Sequence, residues 1–142
     1  MSRYLTGDYD APISTLEAAL HNYIAQIAAA LGVGTEATLC ELSDWASAYI
    51  ALSERCPAHP GQDLALLWDQ QYGWALALEP YPGGALSILT YYGRSLIPTP
   101  DELLTFVTTQ LDELDQPGPA PVAPHFADTE LVDSLAPYAI DE

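Results

Sequence analysis

The sequence predicts an α+β domain: an antiparallel meander sheet of four to five strands with an N-terminal and a C-terminal helix packed on it, plus an acidic proline-rich tail. Three observations predict this. Two stretches repeat apolar residues at three- and four-residue intervals, the signature of a helix with one buried stripe. Between them lie short apolar runs bounded by turn residues, joined by connections too short for parallel crossovers. A chain of 142 residues that is 49% apolar can also bury a core without metal or disulfide support.

Residues 14–31, "STLEAALHNYIAQIAAAL", open the domain after a flexible N-terminus at 1–13. Ser14 and Glu17 have capping-box spacing, and Leu16, Leu20, Tyr23, Ile24, Ile27 and Leu31 form the stripe. Gly32 stops the helix. Strands follow near 36–42, 47–53, 64–69, 74–79 and 85–92, separated by "SDWA", "ERCPAHPGQD", "QQYG" and "PYPGG". The second helix starts at "TPDELLTFVTTQLDEL", where Thr99 and Glu102 repeat the capping-box spacing and Pro100 suits the first helical position. Leu103, Phe106, Val107, Leu111 and Leu114 make its stripe, and the domain is expected to end at 115.

Residues 116–142 read as linker and tail. Five of the chain's twelve prolines lie after Gln116, and residues 101–142 hold ten acids and no base. Both features oppose packing on an equally acidic domain. Residues 116–127 are expected to be extended, and Leu131, Val132 and Leu135 to dock on a partner or a second copy. Deleting 117–142 should then leave the thermal midpoint within a few degrees.

"WDQQYGW" at 68–74 reads as a hairpin turn. With Gly73 left-handed and Gln71, Tyr72 and Gly73 as the loop, Trp68 pairs with Leu76 and Leu66 with Leu78. One face then carries Leu64, Leu66, Trp68, Trp74, Leu76 and Leu78. Two readings stay open for the tryptophans: core first, and second a partner-binding patch with Asp69 and Tyr72.

Charge restricts function further. Twenty Asp and Glu face Arg3, Arg55 and Arg94, for a net charge of −17. Direct nucleic-acid binding and anionic membrane surfaces are disfavoured. No apolar run approaches the roughly 18 residues of a membrane span. The N-terminus lacks a secretory h-region, so the cytoplasm is the expected compartment. Cys40 and Cys56 are expected to be reduced thiols.

Motifs for hydrolases, phosphate loops, zinc and dinucleotides are absent. Cys56 three residues before His59 is too weak a pattern for a nucleophile pair, and His21 and His125 stand alone, so no catalytic, metal or cofactor residue is assigned. Arg55 and Arg94 would make an anion-accepting spot beside Tyr91, Tyr92 and Asp69 if they converge at one sheet end.

The segments "AYIALSERCPAHPGQDLALLWD", "LALLWDQQYGWALALE" and "LIPTPDELLTFV" resemble a family of small acidic actinomycete domains of unknown function, over roughly residues 15–110. The "LLWD…GWALALE" hairpin is the most specific part. The resemblance implies one globular domain and carries no reaction, cofactor or catalytic residue. The layout is also similar to that of acidic secretion-type chaperones, at the level of fold alone. The expected function is an acidic cytoplasmic interaction module (adaptor, chaperone-like or inhibitor), a homodimer binding another protein that can be basic. The alternative is a small-molecule or anion-binding domain, or minor enzyme, with a pocket between helix and sheet.

Overall fold

The computed structural model describes residues 13–34, 38–42, 46–55, 61–81, 84–113, 121–127 and 129–139. The first helix, α1, spans Ile13–Leu31, so it begins one residue before the expected cap at Ser14, whose side chain lies outside the described residues. Of its expected stripe, Leu20, Tyr23, Ile24 and Ile27 are all within 2% of full burial, and Leu16 and Leu31 at the two ends are half-buried. Ala19 and Ala28 are buried too, so the covered arc is wider than one stripe. The helix stops as Gly32 turns to φ 75°. Gly32 N–H donates to Ala29 O and Val33 N–H to Ala28 O, the paired bonds of a Schellman cap.

The described strands are β1 (Thr38–Leu42), β2 (Ala46–Ala51), β3 (Asp63–Asp69), β4 (Gly73–Glu79) and β5 (Ser87–Tyr91). They form one sheet in the order β1-β2-β3-β4-β5, antiparallel at every step. The meander is therefore as expected. A bulge between Leu76 and Ala77 lets β5 shift register against β4.

The hairpin register differs from the expected one by two residues. Trp68 pairs with Trp74 and Leu66 with Leu76, leaving Gln70, Gln71 and Tyr72 between the paired Asp69 and Gly73. Asp69 causes this: its Oδ1 accepts the amides of Gln71 (2.8 Å) and Tyr72 (2.7 Å) and closes the turn early. Gly73 is left-handed at φ 72°, as the turn requires. A slip of two conserves the faces, so Leu64, Leu66, Trp68, Trp74, Leu76 and Leu78 all enter the core.

The second helix, α2, covers Pro100–Glu113 and is capped as expected. Thr99 N–H donates to Glu102 Oε1 (2.8 Å) and Glu102 N–H to Thr99 Oγ1 (3.2 Å). Leu103 and Val107 are its buried residues. Both long helices contribute to the cluster that covers the tryptophan face. No polar or charged side chain is buried among the described residues.

The C-terminal segment departs from the expected linker and partner-docking tail. Residues 121–127 have no regular secondary structure, and Phe126 is buried at 9% with its N–H donating to Gln71 O (2.8 Å). A Cβ added to Gly73 would meet the Phe126 ring at 2.9 Å, so this glycine serves both the turn and the close approach. A short helix, α3 (Glu130–Leu135), then places Leu131 and Leu135 in the core and leaves Val132 46% exposed. In the following 3-10 turn, Tyr138 packs edge-on against Tyr23 at 4.7 Å, and Asn22 Nδ2 donates to Tyr138 O (3.1 Å). The physical reason is that Glu130 and Asp133 stay exposed while Leu131 and Leu135 turn inward as α3 packs on α1. The segment docks on its own chain, so the folded unit does not end at 115.

Candidate functional site

The two tryptophans belong to the core. Trp68 is 1% exposed and Trp74 is fully buried. Each indole N–H has a partner, as burial demands. Trp68 Nε1 donates to Leu96 O (3.0 Å) and Trp74 Nε1 to Tyr23 Oη (3.0 Å). Tyr23 Oη in turn donates to Pro98 O (2.6 Å). Burial pushes the Tyr23 phenol well above its ordinary range, against a smaller opposing effect of the Trp74 hydrogen bond. These bonds hold the connection between β5 and α2 over the indoles, so the partner-patch reading of Trp68 and Trp74 is corrected.

Asp69 is a turn residue, as its two amide contacts show. Tyr72 sits at the turn, 37% exposed. The two candidate arginines do not converge. Arg55 follows β2 and pairs with Asp63 at the start of β3 (3.1 Å). Arg94 follows β5, at the sheet end that holds Asp69 and Gly73. Its guanidinium lies 5.8 Å from the Tyr92 ring centroid, and Tyr92 stacks edge-on against Phe106 at 5.3 Å. The meander itself separates them: three strand reversals divide the end of β2 from the end of β5.

A different surface brings chemistry together. On the sheet face away from the tryptophans, alternate residues form cross-strand rows. Leu39, Tyr49 and Leu67 make an apolar row; Glu41, Ser47 and Asp69 make the adjacent polar row, with an acid at each end. These residues line an open groove of about 360 Å³ together with Cys40, Ala48, Trp68 and Leu86. Leu39 is 68% exposed and Leu86 38%. Sequence reasoning placed Leu67 and Asp69 on the smaller, partly charged face of the hairpin and named Asp69 a candidate, but assigned Leu39, Glu41, Ser47 and Tyr49 to strands without a face. The alternation in "TLCEL" and "ASAYIA" was the available signal.

Beside the groove, Tyr49 Oη donates to Glu79 Oε1 (2.7 Å), two strands away. To reach it the side chain must pass over Ala65, which pairs with Ala51 and Ala77. Ala65 and Ala77 are both fully buried on this face. Burial, then the Glu79 carboxylate, pushes the Tyr49 phenol up to about 12.

No reactive group is evident in the groove. Burial pushes the Cys40 thiol up to about 11, with Glu17 adding to it, so the thiolate is scarce at neutral pH. Cys40 is a free cysteine; Cys56 and His59 lie outside the described residues. Among the described residues no cluster of His, Cys, Asp and Glu could hold a metal, and no helix is long and apolar enough to cross a membrane.

A model of a family of unknown function, DUF6292, matches residues 23–109. The match takes in the C-terminal half of α1, the whole sheet and most of α2, and stops before the docked C-terminal segment. No curated protein and no solved structure matches the chain.

Proposed function

We propose that this chain, which belongs to the family of unknown function DUF6292, is an acidic protein-interaction module whose contact surface is the outer groove of the sheet. One observation carries the reading: an apolar row, exposed at Leu39 and half-buried at Tyr49 and Leu67, lies beside a polar row with an acid at each end, on the sheet face away from the tryptophans. Apolar side chains supply contact area, and carboxylates select partners and steer their approach. The net charge of −17 extends that selection over the whole surface.

The same reading places the protein in the cytoplasm. A homodimer fits it through a surface other than the groove, because Glu41 and Asp69 of one groove would oppose those of the other. The test is co-purification from the native cell with the tagged full-length chain and its Leu39→Asp variant, at low and at high salt, with mass spectrometry. A specific protein recovered at low salt, reduced at high salt and lost with Leu39→Asp is the expected result. Equal recovery by both chains, or no specific protein at either salt, overturns the reading.

A further inference from the structure

We infer that the groove receives an amphipathic helix of another protein, laid over the face of β1–β3, with an apolar residue and, four positions on, Arg or Lys. This rests on the interaction reading above and names the partner's chemistry. The first support is charge. Glu41 and Asp69 stand at the two ends of the polar row, and no Lys, Arg or His lines the groove. A cation set over Ser47 faces both acids, each one strand away, about 4.8 Å between backbones. The amides of Gln71 and Tyr72 hold the Asp69 carboxylate in place.

The second support is spacing. Leu39 and Glu41 share the outer face two residues apart, so the apolar and polar rows lie roughly 6.6–6.8 Å apart along the strands. Residues i and i+4 of a helix share a face and lie about 6 Å apart along its axis. An apolar side chain at i therefore meets the row of Leu39, Tyr49 and Leu67 while a cation at i+4 meets the row of Glu41, Ser47 and Asp69. The third support is hydrogen bonding. Leu39 and Leu67 have no polar side-chain atoms, and the Tyr49 hydroxyl already donates to Glu79. An extended segment laid over that row would leave main-chain amides without partners, whereas a helix bonds its own. A second copy of this chain is the disfavoured occupant. It brings its own −17 charge and has only three arginines to offer. In helix-in-groove recognition the apolar residues are the anchors.

The test uses fluorescence anisotropy with the full-length chain and a labelled peptide, three repeats of Leu-Ala-Ala-Ala-Arg-Ala-Ala. One control keeps the composition but moves Arg off the leucine face, as Leu-Ala-Arg-Ala-Ala-Ala-Ala. A second control carries Pro for the central Ala of each repeat and cannot form the helix. The first peptide should bind saturably and roughly tenfold tighter than either control. Glu41→Lys should weaken its binding by roughly tenfold, and Leu39→Ser should also weaken it. Both side chains are exposed, so neither substitution touches the core. Asp112→Lys, an equal charge change on an exposed residue of α2, should have less than about a twofold effect. Absence of binding, equal binding of the three peptides, or equal loss with Glu41→Lys and Asp112→Lys each overturns the inference. Self-association that Leu39→Asp abolishes, read by analytical ultracentrifugation, assigns the groove to a second copy and overturns it as well. If the peptides fail but the native partner is lost with Leu39→Asp, the helix inference falls alone and the interaction reading stands.

Discussion

Tyr23 couples three parts of the molecule through one hydroxyl. It donates to the carbonyl of Pro98 and accepts from the Trp74 indole, while its ring meets Tyr138. Tyr23→Phe keeps the ring and leaves a buried carbonyl and a buried indole N–H without this partner. The expected cost is about 1–3 kcal/mol, read from urea unfolding at neutral pH. The pH dependence follows from burial. The Tyr23 phenol is raised in the folded state, and Tyr49 and Tyr138 are raised too. An unfolded phenol loses its proton near pH 10, whereas the folded one keeps it. The stabilisation is therefore complete below about pH 10 and is lost as pH rises beyond it. Urea midpoints measured from about pH 8 to 11.5 should fall above pH 10, and less steeply in Tyr23→Phe. Parallel curves for the two proteins would remove Tyr23 from this account.

Among the elements, the C-terminal segment adds apolar burial of its own. Phe126, Leu131 and Leu135 are buried, and they lie beyond the residues that the family model matches. Burying such side chains contributes roughly 1.5–3 kcal/mol each. Removing them also uncovers α1 and the turn at Gly73. Deleting residues 117–142 should therefore lower the thermal midpoint by roughly 10 °C or more, the reverse of what the acidic composition suggests. Calorimetry on the truncated chain, with its monomeric state checked, decides this. A midpoint within a few degrees of the full chain would mean that the packing of Phe126, Leu131 and Leu135 adds little.

For the whole molecule, charge acts in two opposite directions. A net −17 on one small domain repels itself, so the folded state gains when salt screens the repulsion. Raising NaCl from about 0.02 to 0.5 M should lift the thermal midpoint by roughly a few degrees. Over the same range, capture of a basic partner should weaken. Differential scanning fluorimetry and anisotropy on one salt series test both signs together. A midpoint that falls with salt would mean that attractive pairs such as Arg55–Asp63 outweigh the repulsion.

Local patterns by themselves determined most of the architecture. Periodicity placed α1 and α2, the Thr99–Glu102 spacing set a cap that forms as read, and the parity of 64–78 assigned the core face. These signals survive because they depend on residues within a turn or two of each other. Even the register error was confined to a slip of two, since a side chain's face depends on odd or even position alone. The opposite placement of Arg55 and Arg94 was also within reach, by counting strand reversals. Tertiary structure decided what no local pattern encodes, namely which surfaces are covered. Whether Trp68 is core or patch depended on Leu96 and Pro98 closing over it, from 28 residues away in the Trp68–Leu96 bond. The fate of "TELVDSL" depended on α1, at the other end of the chain, against which it packs. Composition weighed its acids against its apolar trio as a sum, whereas folding separates them in space: Leu131 and Leu135 turn inward, and the charges stay in water.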